Sequence, residues 1–77
     1  MKTVAVVSGG FDPLHPGHVK MFRDAHRHGE IVVAGVNSDD WLSRKKGKPF
    51  MKFEDRLYMV QTNQHVDLAM GFLDEDE

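Results

Sequence analysis

The sequence contains no cysteine. That excludes disulfides, thiolate nucleophiles and cysteine-held metals, and it suits a reducing compartment. Long apolar runs are missing as well. The opening stretch Val4-Ala5-Val6-Val7 is too short for a signal-peptide core or a membrane span. A basic excess is also lacking: the formal net charge is −2. Bulk nucleic-acid binding draws on a positive footprint that this chain does not have. Internal repeats and low-complexity linkers are absent. The expectation is a soluble, cytoplasmic protein that engages neither nucleic acid nor membrane. The 77 residues allow one domain. A chain of that size buries only about 60% of its unfolded surface, so its stability should be marginal.

What is present is organised around Gly9-Gly10-Phe11-Asp12-Pro13-Leu14-His15-Pro16-Gly17-His18. A short β-branched run, Thr3 to Val7, precedes it. A run of helical period follows, with His18, Met21, Phe22 and Ala25 at i, i+3, i+4 and i+7. The decapeptide therefore sits on a turn between a buried strand and a helix. Two glycines allow the backbone to approach a ligand closely. Pro16 suits the first helical position, where no N–H is needed. Free N–H groups at that helix end would attract an anion such as phosphate. Two imidazoles, His15 and His18, lie at the same place, which points to chemistry on a phosphate.

The remaining chain reads as alternating strands and helices. The first strand spans about Thr3 to Ser8 and is apolar on both faces, as in a parallel sheet covered on both sides. The first helix runs from about Gly17 to His28 and stops at Gly29, read as a C-terminal glycine. Ile31 to Val36 is a second strand. Ser38 caps a short helix that starts at Asp39, docked by Trp41 and Leu42. Arg44 to Pro49 reads as a basic loop. A further helix covers about Phe53 to Gln64, and Asp67 to Phe72 is a third strand. Asp74 to Glu77 reads as a solvated acidic tail. The pattern predicts an α/β fold with a parallel sheet, strand order 3-2-1, forming the N-terminal β-α-β-α-β half of a Rossmann-like, doubly wound architecture.

The decapeptide resembles the H-x-G-H signature of the nucleotidyltransferase superfamily, and its cytidylyltransferase branch in particular, whose pattern G-x-F-D-x-x-H-x-G-H is matched from Gly9 to His18. The resemblance extends to Val36-Asn37-Ser38-Asp39, to Arg44-Lys45-Lys46-Gly47-Lys48 and to Glu54-Asp55-Arg56. It looks closest to glycerol-3-phosphate cytidylyltransferases and to the nucleotidyltransferase domain of heptose-phosphate enzymes. Members of that kind run to a little under twice this length and add a motif resembling R-T-x-G-I-S-T-T. Nothing here matches that motif, so the chain is expected to be a fragment, or a compact variant completed by a second copy.

The resemblance implies nucleotidyl transfer from CTP to a small phosphorylated alcohol or sugar, with pyrophosphate released and Mg²⁺ carried mainly by substrate phosphates. It implies catalytic roles for His15, His18 and Lys45, and nucleotide binding by Gly9, Gly10, Phe11, Asp12, Gly17, Lys46 and Lys48. Asp39 and Arg56 would contact the acceptor, and a dimer is expected. The family's second lysine falls at Gly47, so Lys46 or Lys48 must replace it. Adenylyl transfer from ATP, a non-catalytic nucleotide-binding module and an assembly domain are the alternatives. A metal site on His15, His18 and Asp12 is disfavoured, because Mg²⁺ prefers oxygen ligands. Asp12-Pro13 favours a tight bend. Arg56 could equally reach phosphate or brace Glu54 or Asp55. Phe11 could pack against a base or in the interior.

Overall fold

The computed structural model of the protein describes residues 2–72. The acidic stretch Asp74 to Glu77 lies outside them. Strand β1 (Val4–Gly9) leads into helix α1 (Pro16–Ala25) and strand β2 (Ile31–Val36). Helices α2 (Asp39–Lys46) and α3 (Phe53–Gln61) connect β2 to strand β3 (Leu68–Gly71). The sheet is parallel throughout, in the order β1-β2-β3. This is the expected α/β Rossmann-like arrangement.

Both crossovers step in the same direction across the sheet. Right-handed connections then place α1 and α3 on one face. The core shows it: Phe22 of α1 and Val60 of α3 cluster with Ala34 and Val36 of β2 and Ala69 of β3. On the opposite face the register sets Val6 beside Val33, and Val33 beside Leu68. That face is uncovered among the described residues, with Val6 71% and Met70 48% exposed. The expectation that β1 is covered on both sides is thus corrected. Its side chains alternate between exposed and half-buried, because the packed helices reach one face only.

Local signals set most of the boundaries. The Ser38 hydroxyl accepts from the Trp41 N–H at 3.1 Å and starts α2, with Asp39 and Asp40 in its first turn. Three elements differ from expectation, the first being α3, which stops at Gln61 rather than near Gln64 because Thr62 N–H closes its last turn on Tyr58 O. Arg44, Lys45 and Lys46 are the last turn of α2 rather than part of a loop, where their charge favours the helix dipole. And α1 ends at Ala25, earlier than expected, through turns in which Arg27 N–H bonds to Asp24 O and Gly29 N–H to Ala25 O.

Gly29 has a different purpose from the one read in the sequence. It is not in the left-handed region; its backbone lies against β1, and an added Cβ would meet the Ala5 nitrogen at 2.6 Å. Gly29→Ala should therefore destabilise the fold by about 1–3 kcal/mol, the scale of overpacking. Urea unfolding followed by circular dichroism measures it; an unchanged midpoint would refute the close-packing account.

Candidate active site

The decapeptide turn is shaped by Phe11. Its φ is 51°, a left-handed conformation unusual for a bulky residue. The ring holds the residue there: Phe11 is 3% exposed and packs against Phe22, with centroids 5.4 Å apart. Phe11 therefore belongs to the interior, and it also makes a T-shaped contact with the His18 ring, centroids 5.0 Å apart. Gly10 follows β1 where the chain passes Leu42, and an added Cβ would lie 2.7 Å from a Leu42 methyl.

The two histidines cap α1. His15 Nδ1 accepts from the Gly17 N–H at 3.0 Å, and His18 Nδ1 accepts from the His15 N–H at 3.1 Å. Gly17 is small enough to let the His15 ring lie over the helix start, since a Cβ would meet His15 Cε1 at 2.8 Å. The rings stack with centroids 3.9 Å apart. With each Nδ1 accepting, each neutral ring carries its proton on Nε2. The pair thus presents two N–H donors beyond the helix end.

This corrects one feature of the expected cradle. Pro16 has no N–H, the Gly17 N–H is held by His15, and the His18 and Val19 N–H groups bond to His15 O. The first turn of α1 is internally satisfied, so the imidazole Nε2–H groups replace its amides as the donors to an anion.

Burial pushes the His18 pKa below its ordinary value of 6.5, and the neighbouring His15 lowers it further. Folding then favours neutral His18, and the unfolded chain takes up the extra proton. His18's contribution to stability should be fully present above pH 6.5 and fall away as the pH drops below it. Melting temperatures of the wild type and His18→Gln, compared between about pH 8 and about pH 5, test this. A pH dependence as steep in His18→Gln as in the wild type would refute it.

A cleft of about 330 Å³ opens over the turn. It is lined by Gly10, Phe11, Asp12, Pro13, His15, His18, Trp41, Leu42 and Lys46. Lys46 Nζ approaches Asp12 O at 3.4 Å, which brings a cation beside the imidazoles. Lys45 points differently: its Nζ lies 5.7 Å from the centre of the Trp41 ring. Lys48 and Asp39 line an adjoining cleft of about 430 Å³ with Phe50, Met51 and Lys52. Gly9 stays in β1, where a Cβ would touch the Phe11 ring at 3.3 Å. The fold therefore gathers His15, His18 and Lys46 directly, sets Lys48 and Asp39 on the adjoining cleft, and leaves Lys45 against Trp41. A larger groove of about 670 Å³ runs along β1 and α1 and shares only Gly17 with the decapeptide.

Trp41 is the cleft residue that sequence reasoning left in the core. The available signal was its spacing: it stands four residues before Lys45 on the same helix, so the two stack on one face.

Arg56 is buried, 0% exposed. Nε donates to Met51 O at 3.0 Å, Nη1 to Gly10 O and Asn37 O at 2.8 Å each, and Nη2 to Asp39 Oδ1 at 2.6 Å. Neither Glu54 nor Asp55 is its partner in any of these bonds. Burial would raise the Asp39 carboxyl, but the hydrogen bond from Arg56, one from the Phe53 backbone and the guanidinium charge together hold it below its ordinary value.

Asp12 also binds protein. Oδ2 accepts from the Phe50 N–H and Oδ1 from the Met51 N–H, both at 2.7 Å. Among the described residues no group of three or more His, Asp or Glu side chains could hold a metal ion. No helix among the described residues is long and apolar enough to cross a membrane.

A family model described as cytidylyltransferase-like matches residues 6–76. The chain is 38% identical over 76 residues to the bifunctional protein HldE of Sulfurimonas denitrificans, covering 96% of this chain and 16% of the relative. It is 40% identical over 65 residues to the FAD synthase of Aciduliprofundum boonei, covering 84% of this chain and 44% of that protein. The chain thus spans well under half the length of the first of these relatives. A lipopolysaccharide core biosynthesis protein from Thermoplasma volcanium superposes with a TM-score of 0.91 at 24% identity, over 99% of this chain and 62% of its own, a likeness of fold.

Proposed function

This chain belongs to the cytidylyltransferase-like family, and from that premise we propose that it supplies the nucleotide-handling half of a nucleotidyl transfer site. The donor is CTP and the acceptor a small phosphorylated alcohol or sugar. An acceptor phosphate oxygen forms a bond to the α-phosphorus, the bond from that phosphorus to the bridging oxygen breaks, and pyrophosphate leaves. The nucleophile is already an anion, so no strong base is required. The demand is alignment and neutralisation of charge on the five-coordinate phosphorus.

The observation that carries this reading is the paired use of Nδ1 by the backbone, which leaves two Nε2–H donors at the mouth of the cleft. They would bond to α- and β-phosphate oxygens. Lys46 would add its charge beside them, Lys48 would extend the cationic rim, and Lys45 would reach the nucleotide from its place against Trp41. Trp41 would wall the cleft and keep water from the phosphates. Mg²⁺, when bound with the nucleotide, would spread the charge of the triphosphate. A homodimer and a cytoplasmic setting belong to the same proposal.

A second reading rests on the similarity to an FAD synthase. FAD contains an adenylyl group, so ATP is the competing donor. Pyrophosphate release measured with CTP and with ATP, across a panel of phosphorylated acceptors, tests both. Acceptor-dependent release with CTP supports the first reading and release with ATP the second. Binding without turnover in every combination would overturn transfer by this chain. Lys45→Ala should raise the nucleotide KM by about tenfold, the scale of one lost charged contact; unaltered KM and kcat would remove Lys45 from the site.

A further inference from the structure

Asp12 and Arg56 were expected among the substrate ligands, yet their hydrogen bonds go to the protein. The Asp12 carboxylate takes the N–H groups of Phe50 and Met51. Arg56 takes Met51 O together with Gly10 O and Asn37 O. Met51 is therefore held at both backbone groups, its N–H by the histidine turn and its carbonyl by a guanidinium that also grips that turn at Gly10. The segment between α2 and α3 has no regular structure of its own. It is flanked by Lys46, which lines the histidine cleft, and carries Lys48, which lines the adjoining one. An unpaired Asp12 carboxylate would repel a phosphate; here its charge is offset by two backbone N–H donors.

We infer that Asp12 and Arg56 are positioning residues, which lock the lysine-bearing segment 46–51 onto the histidine turn and act on a bound polyanion through Lys46 and Lys48. The inference rests on the proposed triphosphate site. It separates two roles that sequence alone merges: an acid and a base that contact a phosphate ligand, and the frame that holds the cations of the cleft. A carboxylate with both oxygens on backbone N–H groups of a distant segment is a docking device, because it fixes two successive residues at once.

A mutant cycle decides it. Calorimetry with CTP should show Asp12→Asn weakening binding about tenfold in the wild-type background, the scale of one charged hydrogen bond. In a Lys46→Ala, Lys48→Ala background the same change should cost less than about twofold, because the cations it positions are gone. An equal loss in both backgrounds would make Asp12 a direct ligand and overturn the inference. Phe50→Pro removes one of the two N–H donors from the opposite partner and should reproduce the loss; unchanged affinity would count against the clamp. Amide exchange by NMR needs no ligand. Exchange at Met51 should quicken at least about tenfold in Asp12→Asn, while Val32 and Val36 in β2 keep their protection. If Met51 protection is unchanged, the clamp is refuted. If the wild type binds neither CTP nor ATP, the triphosphate site and the positioning role fall together, and the exchange result then reports on the clamp alone.

Discussion

His18→Ala should lower turnover by about 100-fold or more, the scale of losing a donor to a transition-state oxyanion. The residue serves three groups at once. Its Nδ1 accepts the His15 N–H, its ring stacks on His15, and it meets Phe11 in a T-shaped contact. Its Nε2–H is the group left for chemistry. Losing the cap costs about 1 kcal/mol of stability, which the Phe11 and Phe22 core can absorb. The two effects separate experimentally. Turnover is read by pyrophosphate release, and folding by urea unfolding of the same sample. A glutamine at this position can still donate a hydrogen bond, so His18→Gln should recover part of the lost rate. Unchanged turnover in His18→Ala, with folding intact, would end the catalytic assignment.

Arg56→Met should destabilise the protein by about 3–5 kcal/mol, the scale of breaking a buried pair from one side. The guanidinium is fully buried, and among the described residues no buried side-chain polar atom lacks a partner. Methionine fills much of the volume but strands the carbonyls of Gly10, Asn37 and Met51, each of which has Arg56 as a donor. It also deprives Asp39 of its ion-pair partner at 2.6 Å. Domain stabilities are about 5–15 kcal/mol, and this short chain should lie toward the lower bound. The variant should therefore be substantially unfolded at room temperature, visible as a lost cooperative urea transition. Arg56→Lys should recover only part of the stability, because a single ammonium cannot reach four acceptors in a planar fork. If Arg56 were a phosphate ligand instead, its removal would weaken nucleotide binding and leave the unfolding midpoint in place.

Several expectations concerned local structure, and these agree with the fold. Pro16 starts α1, Ser38 caps α2, and Ile31–Val36 forms the central strand. Each depends on neighbours a few residues away, where periodicity and capping chemistry act. Gly29 was misread because a helix-stop glycine and a close-packed glycine look alike until β1 is alongside. Arg44 to Lys46 were misread as loop because Gly47 and Pro49 dominated the stretch; Gly47, with φ 86°, ends the helix after the lysines rather than before them.

By itself, the sequence determined a strand-turn-helix with two histidines at its bend, and the order in which further strands and helices follow. Those are consequences of contacts within one or two turns of chain. Tertiary structure decided which polar groups remain available to a ligand. Asp12 is drawn to a segment 38 residues onward, and Arg56 reaches back 46 residues to Gly10. Closing such contacts depends on how β1, α2 and α3 converge, and no local pattern encodes that convergence. The same convergence turned Lys46 into the cleft, laid Lys45 over Trp41, and left one face of the sheet uncovered among the described residues.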